Sequence, residues 1–145
     1  MTTQNGNDPY SSEYPPANNL HPDIQAFIRH YYTQVDTQGR HTEYSECWTE
    51  DGVLIVPSGV EFRGRESIRN LHSGMWNGVP KRLHRPSKIY PFGNDADEVM
   101  ILGSVEYWPD DGPYVKKDMA ARAKYQRNAN SGKIEMSSLQ VWLTT

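Results

Sequence analysis

The chain has 145 residues, enough for one domain with a single buried core, and its net charge of −3 comes from interspersed signs. Cys47 is the only cysteine, which excludes an intrachain disulfide and a cysteine-rich metal site. No apolar run follows Met1 and none is long enough to span a bilayer, so a soluble, cytoplasmic protein is expected.

Residues 1–20 are rich in loop formers such as Asn5, Gly6, Pro9, Pro15 and Pro16. They read as a flexible N-terminal arm, dispensable for folding, ahead of one domain at 21–145. From Asp23 to Val35, apolar residues recur at Ile24, Phe27, Ile28, Tyr31 and Val35, the stripe of an amphipathic helix. Pro22 suits its first turn and Gly39 its stop. Tyr44, Cys47 and Trp48 mark a second, short helix, and Val53–Val56 a strand. Gly64 precedes a third helix with Ile68, Leu71, His72, Met75 and Val79 on one face, its last turns weakened by Gly74 and Gly78.

Four strand-like runs follow. Leu83–Phe92, Glu98–Trp108, Tyr114–Arg127 and Lys133–Leu143 are bounded by Pro80, Gly93, Gly112 and Gly132, and the turns between them are short. A long meander of this kind must curl, with the helices on its concave side. The expected fold is therefore α+β: a cone-shaped barrel whose strongly curved, mostly antiparallel sheet carries three helices in the N-terminal half.

Signature motifs for serine hydrolases, zinc proteases, phosphate loops and dinucleotide binding are all missing, so chemistry must come from scattered groups converging on the cone. Neither a metal nor a cofactor is expected: His21, His30, His41, His72 and His84 make no close ligand pair on one predicted face. The basic cluster Lys81-Arg82-Leu83-His84-Arg85 is too short for a nucleic-acid stripe. A small-molecule substrate is the expected partner.

Tyr32 and Asp36 lie four apart on one face of the first helix, and Arg40 follows at the next interval. They suit either a solvated helix edge or a pocket rim with a phenol, a carboxylate and a guanidinium. His84 sits inside a strand; an imidazole titrates ordinarily near about 6.5 and is suited to general acid–base work. His72 falls on the apolar stripe and reads as a satisfied core histidine or a wall of the pocket. Met119, Ala121, Ala123 and Tyr125 alternate with charged residues and leave room for a ligand, while Tyr107, Gln140 and Trp76 are further candidates for its walls.

The stretches Met75-Trp76-Asn77-Gly78-Val79, Arg82-Leu83-His84, Ala120-Ala121-Arg122 and Gln140-Val141-Trp142-Leu143, in this order of elements, resemble a fungal group of secondary-metabolism proteins. That group lies within the SnoaL-like branch of the nuclear-transport-factor-like superfamily. The resemblance covers about Pro22 to Leu143 and implies a homodimer and a cofactor-free isomerase, cyclase or dehydratase. It places Tyr32 at the oxyanion-donating tyrosine of ketosteroid isomerases, while their base and second acid fall near Val56 and Ala121. His84 falls at the strand histidine of scytalone dehydratases and Asp36 near their first-helix acid; their second histidine has no counterpart around Lys116–Asp118. Arg40, Tyr107 and Tyr114 resemble residues of fungal rearrangement enzymes. The expected catalytic set is thus His84, Asp36, Arg40 and Tyr32. Tyr107, Gln140, His72, Trp76, Met119 and Ala121 are expected to bind substrate, a polyketide- or alkaloid-like intermediate. A non-catalytic binding or scaffolding protein of the same fold is the alternative.

Overall fold

The computed structural model describes residues 8–16 and 20–145. Helix α1 (Pro22–Val35) and helix α2 (His41–Glu46) come first, followed by β1 (Trp48–Ile55), β2 (Glu61–Arg63) and helix α3 (Arg65–Gly74). Strands β3 (Lys81–Pro91), β4 (Glu98–Trp108), β5 (Val115–Arg127) and β6 (Ile134–Leu143) complete one sheet of order β2-β1-β6-β5-β4-β3. Only β1 and β6 run parallel; the other neighbours are antiparallel. This is the expected α+β cone. No helix among the described residues is long and apolar enough to cross a membrane.

Helix α1 buries its predicted stripe together with Tyr32. Burying such side chains stabilises by roughly 1.5–3 kcal/mol each before entropy is counted. His21 caps the helix through Nδ1, which accepts from the Asp23 backbone N–H at 3.0 Å. Phe27 meets Tyr125 of β5 edge-on, with centroids 5.6 Å apart, so much of the room expected beside Ala121 and Ala123 is filled by the helix. Helix α3 stops at Gly74 rather than continuing to Val79, and Gly78 lies beyond it with φ of 76°.

Strand β3 carries a bulge. Arg85 pairs with Ser104 and Lys88 with Leu102, so Pro86 and Ser87 together oppose Gly103. Proline is tolerated there because a bulge requires no ladder N–H. The extra residue shifts the alternation of faces. Arg82 and His84 reach the cavity before the bulge, and Ile89 is buried after it.

Of the arm expected at residues 1–20, residues 1–7 and 17–19 lie outside the described residues. Residues 8–16 lie along the free edge of β3. The Glu13 N–H donates to the Ser87 carbonyl at 2.8 Å, and the Ile89 N–H donates to the Glu13 carbonyl at 3.0 Å. The Ser12 hydroxyl donates to the Pro86 carbonyl, Asp8 pairs with Arg29 of α1, and Tyr14 packs on the core.

Candidate active site

Asp36 ends α1, where the helix dipole disfavours a negative charge. Three donors offset that placement. Asp36 accepts from the His84 backbone N–H at 2.7 Å, from His84 Nδ1 at 2.6 Å and from the Tyr10 hydroxyl at 3.0 Å. Its side chain is 3% exposed and that of His84 15%. A carboxylate accepting at this distance selects the neutral tautomer with its proton on Nδ1, in which the second nitrogen, Nε2, keeps its lone pair. Among the described residues Nε2 has no hydrogen-bond partner, and His84 borders a cavity of about 180 Å3.

That cavity opens between α1, α3 and the concave face of the sheet. Tyr32, Tyr107, His72 and Arg82 supply its polar wall; Leu54, Val56, Met119, Leu139, Val141 and Leu143 are among its apolar lining. Tyr32 lies beside His84, ring centroids 5.3 Å apart, and its hydroxyl has no partner among the described residues. Burial, reinforced by the charge of Asp36, pushes the Tyr32 phenol well above its ordinary range, so it stays a donor. Burial likewise raises Tyr107, against the opposing effect of Arg82.

His72 is fully buried. Its Nε2 donates to the Val35 carbonyl at 3.1 Å, which leaves Nδ1 to accept from His41 Nδ1 at 2.8 Å. The ring stacks on Tyr44, centroids 4.6 Å apart. Burial lowers its pKa below that of a free histidine, and the neighbouring His41 acts in the same direction. His72 is therefore a neutral wall.

The structure thus brings together His84, Asp36, Tyr32, Tyr107, His72 and Met119. It does not bring in Arg40, which caps α2 with its side chain 54% exposed and lies 3.7 Å from Glu43. Gln140 is also elsewhere: Leu139, Val141 and Leu143 take the inward positions of β6, so Gln140 lies beside Arg122 on the convex face. Ala121 is buried beneath the helices rather than on the cavity wall. Trp76 does not line the cavity but backs two residues that do, Arg82, whose guanidinium lies 4.9 Å from its ring centroid, and His72, whose ring centroid lies 5.7 Å away. Tyr114 stands outside and donates to Glu106 at 2.7 Å.

Two participants were not foreseen. In the sequence Arg82 stands out only as part of a basic cluster and of the stretch Arg82-Leu83-His84, although a residue two before His84 in a strand shares its face. Tyr10 lay in the arm, and no local pattern signals its reach to Asp36.

A larger open trough, about 880 Å3, lies at the other end of α1, bordered by Asp23, Arg65, Arg127 and Glu135. Four of its charges pair with one another, Arg65 with Glu135 at 3.0 Å and Arg127 with Asp23 at 2.9 Å. Cys47 at its floor is no nucleophile, since burial pushes the thiol up to about 12. The smaller cavity, with an oriented imidazole and free phenol, is the candidate active site. No group of three or more potential metal ligands occurs among the described residues.

No known family model matches the chain. The human WD repeat and coiled-coil-containing protein is 30% identical over 88 residues, which make up 60% of this chain but 11% of that protein. The chain thus spans about a tenth of the length of that curated relative. Solved structures match over most of the chain. A protein of unknown function from Mycobacterium tuberculosis superposes with a TM-score of 0.71 at 18% identity, covering 84% of this chain and 70% of that one. A type 2 hexachlorocyclohexane dehydrochlorinase gives 0.68 at 19% identity, covering 85% and 84%. Nuclear transport factor 2 from Cryptosporidium parvum gives 0.67 at 17% identity, covering 87% and 98%. At these identities the likeness establishes the architecture, and the chain has the cone-shaped fold of the nuclear-transport-factor-like superfamily.

Proposed function

We propose that the protein is a cofactor-free acid–base enzyme of the cytoplasm, an isomerase or cyclase acting on an enolisable or phenolic polyketide- or alkaloid-like intermediate. The observation that carries this reading is the 2.6 Å contact between Asp36 and His84 Nδ1, which aims an unprotonated Nε2 at an apolar cavity. His84 takes a proton from carbon onto Nε2 and returns it to another atom of the same molecule. Asp36 orients the ring and offsets the imidazolium charge that develops, as a buried acid does in other histidine-based sites. The Tyr32 hydroxyl donates to the substrate oxygen that gains negative charge. Apolar walls exclude water and hold the reacting atoms close.

A positioned general base contributes about 10^2–10^4 in rate. In D2O, proton NMR should show wild-type protein exchanging the α C–H of neutral cyclic ketones such as cyclohexanone. His84→Ala and Asp36→Asn should each slow exchange about a hundredfold or more with little change in Tm. Full exchange by both variants sinks the mechanism. Wild-type protein that binds these probes without exchanging them is the outcome expected of a non-catalytic binding protein.

Two phenols in one cavity favour a second reading, elimination of water. The base would remove a proton while Tyr32 or Tyr107 protonates the departing hydroxyl, giving a product lighter by one water. We also propose a homodimer joined through the convex face of the sheet, with Trp142 at its centre.

A further inference from the structure

Arg82 stands apart from the other arginines of the chain. Arg29, Arg40, Arg63, Arg65, Arg85, Arg122 and Arg127 each face a carboxylate, and Arg69 is exposed. Arg82 has no carboxylate within ion-pair distance among the described residues. Its guanidinium lies between two aromatic rings, 4.9 Å from the Trp76 centroid and 5.5 Å from that of Tyr107. One Nη donates to the Met75 carbonyl, while the buried Nε has no partner. The charge of Asp36 acts on Arg82 from a distance, but that carboxylate is held by His84 and Tyr10.

A partly desolvated cation without a counter-ion is costly, and one that borders a cavity is a candidate to be completed by a ligand. Stacking on two rings recovers part of the cost and fixes the plane of the guanidinium. Arg82 is two residues from His84 on the same strand and borders the same cavity. The cavity's size narrows the ligand: an apolar hole of about 150 Å3 holds one benzene ring, and this one is about 180 Å3.

We propose that the cavity takes a single-ring organic anion, a carboxylate or phenolate whose charge rests on Arg82 while its ring lies among Met119, Leu139 and Val141. The anion supplies the missing counter-ion and sets the ring beside His84 Nε2. In this form the inference rests on the acid–base reading, because it describes the substrate of that site. The ring's charge selects among substrates, and the imidazole acts on whichever one is bound.

Titration of the full chain with benzoate and with its neutral isostere benzamide, followed by protein NMR, tests this separately from turnover. Wild-type protein should bind benzoate at least tenfold more tightly. The preference should survive added salt, since a buried pair is poorly screened. Arg82→Gln should erase the preference, and Arg82→Lys should retain part of it as a charge without the planar fork. Thermal melts establish that each variant is folded, and the lysine variant carries the test if the glutamine variant is not. Equal affinity for the two probes, no binding of either, or an undiminished preference in Arg82→Gln would overturn the proposal. None of these outcomes bears on proton exchange of a neutral ketone, which tests His84 and Asp36 by themselves.

Discussion

At the scale of single residues, the site is governed by how each imidazole distributes its protons. His84 gives Nδ1–H to a carboxylate and keeps Nε2 for the cavity; His72 gives Nε2–H to a carbonyl and accepts from His41. The same side chain becomes a base in one place and a wall in the other. Because burial depresses the His72 pKa in the folded state, the unfolded chain binds that proton more readily. The stability contributed by neutral His72 is complete above the unfolded value of about 6.5 and is lost as pH falls toward the folded value. His41 and Arg82 face it and Tyr44 stacks on it, and no carboxylate among the described residues stands there to reverse the sign. Calorimetry should show Tm falling between pH 7 and pH 5. His72→Gln, which can still donate to Val35, should flatten that slope even if it is less stable at pH 7. An unchanged slope would mean that other groups set it.

At the scale of elements, the bulge in β3 is the feature on which the site's geometry turns. A Cβ added at Gly103 would sit 1.9 Å from the Arg85 carbonyl oxygen and 3.1 Å from the Ser87 nitrogen. Both are backbone atoms, which cannot rotate aside as a side chain would. Gly103→Ala should therefore cost about 3 kcal/mol or more, lowering Tm by roughly 6–12 °C in a chain of this size. It should also weaken the hold of β3 on Asp36. A neutral effect in thermal melts would show that β3 can straighten without penalty. The strand itself was legible from its flanking Pro80 and Gly93, and α1 from the spacing of Ile24, Phe27, Ile28, Tyr31 and Val35. The bulge was not, because Pro86 among polar neighbours, Arg85, Ser87 and Lys88, does not say which face each of them takes. Asp36 and His84 were legible as chemical types, whereas Arg40 and Gln140 failed on direction. One lies just past a helix end and the other on the outward phase of a strand, and a single sequence fixes neither orientation.

At the scale of the whole molecule, the convex face carries a group of exposed apolar side chains. Tyr90 and Met100 pair across β3 and β4, and Leu102, Ala120 and Trp142 lie in one row across β4, β5 and β6. Tyr90, Met100, Leu102 and Trp142 are 45%, 36%, 43% and 44% exposed. Such a patch supports the proposed homodimer, since a self-complementary face closes as a twofold dimer. Light scattering at micromolar concentration should give twice the 16.6 kDa chain mass, and Trp142→Glu should return the protein to that single mass without unfolding it. A monomeric wild type would remove the homodimer from the account.

The contacts of the arm impose an order on assembly. Tyr10 meets a residue 26 positions later, and Ser12 meets one 74 positions later. The arm must therefore wait until β3 has been made before it has an edge to lie on. Closing so long a loop is entropically expensive and is repaid only when β3 is in place. The two His84 hydrogen bonds to Asp36 depend on the same strand, so carboxylate, imidazole and phenol are brought together only once β3 is in place.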